Sequence, residues 1–439
     1  MLGPRAMTQN LSLQPIMNSQ ITSLKESSTL AIHQRVKELK GQGQNVVHFG
    51  FGQSPFAVPD NIQQALREAS HQKEYLPTLG LRELREAFCS FQKELYGYDF
   101  HPDTVLVGPG SKELIFQALF VLEGPLLIPA PSWVSYGPQA HIRGKTVHTI
   151  LTKKANNYKL TPEELEQSCL HLLVNRQKIL ILNSPNNPTG TVYTDSELAA
   201  LAEVCRQHGI IVISDEIYSL TNFSGRPHRG FAHHYPEGTI TTGGLSKGHS
   251  AGGYRLGILA APLNFKSVIK ALTAMVSETY SAVSAPTQYA AIAAYSLDPK
   301  MMSYIEQCTH IHRATGHYLH RRFQQMGLDC IQPEGAFYLF PDFEPFLPQL
   351  RKLHLDDSPS LCRHLLDKYA VATLPASDFY FLPEFPACRV ATVDYDGPAV
   401  HRAALSAPQL DDSFVEAHCP RLKEGADRIE HFIRSELKK

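Results

Sequence analysis

Between residues 104 and 261 the chain alternates apolar runs of strand length with helical patterns, and that alternation restricts the fold more than any other feature. The runs are 104–107, 125–128, 178–183, 210–214, 239–242 and 254–261. Among the intervening stretches, 195–208 carries apolar residues at helical spacing and stops at Gly209, a residue type that closes helix C-termini. Near-continuous apolar strands separated by amphipathic helices predict an α/β fold built on a mostly parallel, helix-covered sheet. At 439 residues the chain exceeds one compact core, so a large domain with a smaller one attached is expected.

The pattern changes on both sides of this region. Residues 1–20 are polar and are expected to form a flexible arm. Ser27, Ser28 and Thr29 precede a helical pattern through Leu30, Ile32, Val36 and Leu39 that stops at Gly41, and 46–49 then reads as a short strand. Segment 21–58 is assigned to the smaller domain and 59–300 to the large one. Residues 301–439 complete a small α+β domain, with a long helix at 303–326, a strand at 335–340 and a final helix at 415–435.

Charge excludes several function classes. The 41 basic and 42 acidic side chains leave a net charge of −1 with no block of like charge, which argues against a nucleic-acid or membrane surface and favours small-molecule chemistry. No stretch reaches the roughly 18 apolar residues of a membrane span, and no apolar secretion signal is present, so a cytoplasmic protein is expected. The eight cysteines lack a Cys-x-x-Cys pair and read as reduced, mostly buried thiols. His310, His312, His317 and His320 share one predicted helix, but their spacing does not put three on one face, so no metal is expected.

Ligands of open α/β sheets collect at the C-terminal ends of strands, and four predicted strands here end in polar residues suited to one aromatic cofactor. After 104–107, the run Gly108-Pro109-Gly110-Ser111-Lys112 opens a helix, where free N–H groups and the positive helix end suit a phosphate. The order Gly-Ser-Lys is not that of a nucleotide P-loop, and Gly50-Phe51-Gly52 lacks the third glycine of a dinucleotide site. After 125–128 comes the only tryptophan, Trp133, which suits either a planar heterocycle or a core gap. After 178–183, Asn186 and Asn187 offer neutral donors to a phenolate-like oxygen, or an ordinary turn. After 210–214, Asp215 suits a protonated ring nitrogen, or merely a solvated strand end. Finally, Lys247 lies among small residues with Arg255 eight positions on. That pair suits a carbonyl cofactor with an anionic tail, a solvated turn being the plain alternative.

In their order and spacing, Asn187-Pro188-Thr189-Gly190, Asp215-Glu216-Ile217-Tyr218 and Ser246-Lys247 with Arg255 resemble the class I/II aminotransferases of pyridoxal-phosphate fold type I. The resemblance extends from about residue 21 to Arg389, through the 75–85 run, Trp133-Val134-Ser135-Tyr136 and the 333–338 run. It implies a large domain that binds pyridoxal phosphate and a small α+β domain made by the C-terminal part and the N-terminal segment. It further implies that Lys247 links to the cofactor aldehyde and then moves the substrate Cα proton. Asp215 would hold the pyridine nitrogen protonated, and Asn187 and Tyr218 would bond the ring oxygen. Ser111 and Lys112, largely through backbone N–H groups, would bind the phosphate with Arg255, and Trp133 would stack on the ring. Arg389 would grip the substrate α-carboxylate beside Gly52, with Asn187 and Trp133 also facing the substrate. Tyr75 would reach the phosphate of a neighbouring subunit, which implies a homodimer with shared sites.

Three departures stand out. Gly244 occupies a place where many relatives carry a phosphate-binding serine, Pro375-Ala376 replaces a usual Pro-Gly, and 394–419 has no counterpart and is a candidate to shape substrate access. The implied reaction is ping-pong transfer of an amino group from an L-amino acid, such as aspartate or an aromatic one, to a 2-oxo acid. A C–S/β-lyase shares Lys247, Asp215 and Tyr218 and is the alternative. A non-catalytic sensor of pyridoxal phosphate or amino acid is disfavoured because every catalytic position is filled. The sequence places no second cation for a distal carboxylate, so aspartate rests on family frequency.

Overall fold

The computed structural model describes residues 16–172 and 177–438. Seven strands form the central sheet: β1 (Val105–Gly108), β2 (Leu126–Ala130), β3 (Val147–Leu151), β4 (Lys178–Asn183), β5 (Ile210–Asp215), β6 (Thr239–Gly244) and β7 (Gly257–Ala260). Their order is β1-β7-β6-β5-β4-β2-β3, with β7 antiparallel to both of its neighbours and all other pairs parallel. The chain is thus α/β with a mostly parallel sheet, as the alternation predicts. Every residue of β1, β2, β4 and β7 is buried, as expected of strands covered on both faces.

Two strands differ from the sequence reading. β3 is an edge strand of mixed polarity, partly exposed, and so has no apolar run to betray it. The 254–261 run shortens to β7 because Gly252–Tyr254 forms a 3-10 turn and Arg255 is left-handed (φ 51°). Register then aligns the chemistry: Asn183 on β4 pairs with Asp215 on β5, and Asp215 with Thr242 on β6. Those side chains therefore share one edge of the sheet.

The C-terminal part forms a second core, in which Phe323, Leu339, Val390 and Phe432 pack with Val47 and Phe49 of the N-terminal segment. Val47–His48 pairs in parallel with Val371–Ala372, and a three-stranded antiparallel sheet joins Leu374–Pro375, Cys388–Ala391 and Tyr338–Leu339. The predicted strand at 335–340 is reduced to Tyr338–Leu339, since a left-handed Ala336 (φ 56°) keeps the preceding residues out of the ladder. The long helix runs from Pro299 to Met326 and closes at Gly327 (φ 92°). The single final helix is instead two, Asp412–His418 and Pro420–Phe432, because Pro420 cannot continue the first and starts the second. Of the expected flexible arm, residues 1–15 lie outside the described residues, while Ser19–Thr22 forms a helical turn and Ser23 Oγ bonds His141 Nε2 at 2.9 Å. Among the described residues no helix is long and apolar enough to cross a membrane.

Candidate active site

The C-terminal sheet edge and the strand carrying Arg389 enclose a cavity of about 520 Å³. Ser111, Lys112, Trp133, Asn187, Asp215, Tyr218, Lys247, Arg255, Gly52 and Arg389 all line it. Tyr75 does not; its side chain is 95% exposed. A larger open groove lies along the long helix against residues 404–413 and contains none of the strand-end residues. No residue of 394–419 lines this cavity. Instead Asp394 accepts the His48 N–H at 2.7 Å, and Asp396 caps the helix Gly397–Ser406.

Lys247 follows β6 and points its amine into the cavity. Nζ donates to the Gly52 carbonyl at 2.7 Å and lies 5.4 Å from the Tyr218 ring and 5.3 Å from that of Phe337. Burial, reinforced by the Arg389 charge and opposed by Asp215, pulls its pKa down to about 7. Near neutrality a large fraction of the amine is therefore in its nucleophilic, unprotonated form.

Asp215 ends β5. Its Oδ2 accepts the Tyr136 hydroxyl at 2.6 Å, and Oδ1 faces the Ile217 N–H at 3.4 Å and Thr242 Oγ1 at 3.5 Å. Burial pushes the carboxyl up to about 6 despite the Tyr136 hydrogen bond. Among the described residues no basic side chain forms an ion pair with it, so an external cation on the cavity side would restore its charge.

Arg389 is the complementary case. It is only 1% exposed, yet its partners are neutral: Nη1 donates to Asn187 Oδ1 at 3.2 Å and Nη2 to the Gly50 carbonyl at 2.7 Å. The Tyr338 and Phe379 rings flank it at 4.6 and 5.2 Å, and Nε has no partner. Among the described residues no carboxylate forms an ion pair with this guanidinium, and Asp378 acts on it only through its charge, so a ligand carboxylate would relieve the cost of its burial with a two-pronged hydrogen bond.

An anion cradle lies between them. The helix Ser111–Val121 begins at Gly110 (φ 98°) and leaves its first N–H groups without intrahelical partners. A Cβ on Gly110 would stand 2.5 Å from Arg255 Nη2, and one on Gly257 2.3 Å from the Ser111 nitrogen, so backbone and guanidinium meet only because both positions are glycine. At Gly244 a side chain would press to 2.6 Å from the Leu256 carbonyl, which explains the missing serine. A Cβ on Gly52 would fall 1.9 Å from Tyr338 Oη. The sequence reading overlooked Tyr338, whose hydroxyl is 2.8 Å from that of Tyr218, and Tyr136 on Asp215. Both lie inside the motifs quoted above, which is the one signal available for them.

Residues 44–404 match the family model described as Aminotransferase class I and II. The chain belongs to that family. It is an aminotransferase, an enzyme that passes an amino group from an amino acid to a 2-oxo acid. It is 36% identical to an aspartate aminotransferase of Geobacillus stearothermophilus over 82% of this chain and 90% of that one. To a bifunctional aspartate aminotransferase and glutamate/aspartate-prephenate aminotransferase of Petunia hybrida it is 35% identical, over 84% and 77%. Its structure superposes on that of the Thermus thermophilus aspartate aminotransferase with maleate, with a TM-score of 0.82 at 26% identity, covering 95% and 99% of the two chains. The aminotransferase donor set fits pyridoxal phosphate: a neutral-leaning amine, an uncompensated carboxyl and a glycine-built anion cradle surround one cavity.

Proposed function

We propose that this aminotransferase uses pyridoxal phosphate and takes aspartate, or a similar acidic amino acid, as donor, in two ping-pong half-reactions. The observation that carries this reading is that Lys112, besides Arg389 and the phosphate-directed Arg255, is a cavity-lining cation with no ion pair among the described residues. Lys112, expected to serve mainly through its backbone, extends its side chain into the cavity with Nζ 5.1 Å from the Trp133 ring centroid. Burial, with Arg255 adding to it, lowers its pKa. Arg389 and Lys112 thus offer two cations to a ligand with two carboxylates, and the maleate of the Thermus enzyme is such a ligand.

Pyridoxal phosphate, when bound, supplies an aldehyde that takes up the amino group and a protonated ring that accepts the electron pair left as the substrate Cα–H bond breaks. Every other part falls to the chain. Arg389 fixes the α-carboxylate and Lys112 the distal one, which holds the Cα–H bond in one orientation. Lys247, whose amine stands in the cavity, would accept the Cα proton as base and hand it back as acid. Asp215, held by Tyr136, would keep the ring nitrogen protonated, and Asn187 and Tyr218 would donate to the ring oxygen. Ser111 and Arg255 would hold the phosphate, and Trp133 would cover the ring. We assign this machinery to a large unit (59–300) and a small one (21–58 with 301–439). We assign exposed Tyr75 to the phosphate of a second subunit, and we place the enzyme in the cytoplasm with its eight free thiols reduced.

The test is the absorbance of protein loaded with pyridoxal phosphate as single amino acids are added. Aspartate is expected to convert the cofactor to its amine form, reversibly with a 2-oxo acid. With cysteine, an unchanged spectrum while pyruvate, ammonia and sulfide accumulate would establish a lyase instead. Lys112→Met should raise KM for aspartate about 10- to 100-fold, the loss of a charge-assisted bond, while leaving KM for alanine within about twofold. Equal effects on both donors would remove Lys112 from the distal site.

The lowered pKa of Lys247 makes a separate prediction. The cofactor-free protein should take up pyridoxal phosphate covalently at a rate that rises with pH and levels off above about 7, since only the neutral amine attacks. A stopped-flow pH profile checks it; a rate still climbing tenfold per unit above pH 8 would contradict the depressed amine.

A further inference from the structure

Tyr380 adopts a left-handed backbone (φ 71°), a conformation that non-glycine residues keep only where their surroundings demand it. It directly follows the turn Ala376–Phe379, whose Phe379 ring lies 5.2 Å from the Arg389 guanidinium. Its hydroxyl accepts the Gly137 N–H at 2.7 Å and offers its proton to the carbonyls of Val134 and Trp133 at 3.0 and 3.2 Å. The Phe379 carbonyl adds a bond from the Ser132 N–H at 3.2 Å. The loop gripped in this way carries Trp133 and also Tyr136, whose hydroxyl bonds Asp215 and whose ring meets that of Trp133 edge to face at 5.2 Å. Gly137 has no room for a side chain there: its Cβ would stand 2.8 Å from Tyr380 Cε1.

We propose that Tyr380 is a positioning residue whose hydroxyl holds the 132–137 loop against the Phe379–Arg389 side, so that Trp133 and the Tyr136–Asp215 pair stand in register with the arginine. The hydroxyl bridges two chain segments some 245 residues apart, and among the described residues no other side chain bonds the backbone of both Trp133 and Gly137. The proposal rests on the roles assigned above to Arg389, Trp133 and Asp215. The left-handed backbone is the strain accepted to aim the ring at Gly137.

Trp133 is the only tryptophan of the chain, so its fluorescence reports on this loop without any turnover. In cofactor-free protein, Tyr380→Phe, which keeps the ring and removes the hydroxyl, should increase acrylamide quenching of Trp133 about twofold and lower its anisotropy. Tyr380→Gly, which relieves the backbone, should do the same, and so should Gly137→Ala, which pushes the ring away with the hydroxyl still present. In the loaded enzyme Tyr380→Phe should raise KM for the amino donor about tenfold, the equivalent of roughly 1.4 kcal/mol, with a much smaller change in kcat. Wild-type quenching and KM in Tyr380→Phe would overturn the proposal, as would wild-type behaviour of Tyr380→Gly, which would leave only a backbone role. Should the wild-type protein fail to transaminate any donor, the functional reading falls, while the quenching of the three variants still decides whether the hydroxyl holds the loop.

Discussion

Lys247→Ala is expected to lower transamination by about 10⁴-fold or more, while pyridoxal phosphate still binds without a covalent link. Among the described residues no other amine is placed to take over. Lys112 is the other lysine lining the cavity, and its amine sits over Trp133 rather than against the Gly52 carbonyl that anchors Lys247. The rings of Tyr218 and Phe337 lie 5.4 and 5.3 Å from Lys247 Nζ, and burial raises the Tyr218 hydroxyl well above its ordinary range, so it stays protonated and does not serve as the base. Loss of the lysine thus removes both the covalent anchor and the base for the Cα proton. Retained noncovalent binding follows because the glycine-built cradle, Arg255 and Asp215 are untouched. Single-turnover absorbance with aspartate is the measurement, and turnover near that of the wild type would refute the assignment.

Asp215→Asn is expected to reduce kcat by about 10²- to 10³-fold, the usual cost of deleting one preorganised charge that stabilises a transition state. A neutral amide in the same place accepts a hydrogen bond but does not favour a protonated ring nitrogen. The substitution should also leave a thermodynamic mark that a merely structural aspartate would not. Burial raises the folded-state pKa of Asp215 to about 6, above its ordinary 3.8. The folded protein therefore binds this proton more tightly than the unfolded chain, and the stability this group contributes is lost as pH rises through about 6. Asparagine has no such loss. The cofactor-free variant should melt above the wild type at pH 8 and show a smaller difference, or none, at pH 5. A lower melting temperature at pH 8 would mean that the carboxylate supports the fold rather than waiting for a cation. Gain of stability with loss of activity is the pattern expected of a charge buried for chemistry.

Much of the site was legible because its residues lie in short local motifs at strand ends. Asn187, Asp215 and Lys247 each follow a predicted strand within a few residues, and a parallel sheet brings such ends to one edge whatever the helices between them contain. Arg255 instead stands at the start of the predicted 254–261 run, just before the antiparallel strand Gly257–Ala260. Elements without a local signature were missed. The half-exposed strand β3 carries no apolar run, and Pro420 divides a helix whose apolar spacing alone runs through. For Lys112 the sequence shows the helix start and so its backbone N–H, whereas the direction of its side chain is set only by the tertiary structure.

By itself the sequence determined the strand and helix alternation, and with it the parallel sheet and the edge where the cofactor groups gather. These follow from burial period and turn chemistry, which act within a dozen residues. The tertiary structure alone decided the rest. It brought Arg389 against Asn187 across 202 positions, set Tyr136 on Asp215 across 79 and placed the Tyr380 hydroxyl beside Gly137 across 243. It also shifted Lys247 to about 7, because desolvation depends on which atoms surround a group in space and not on its neighbours along the chain.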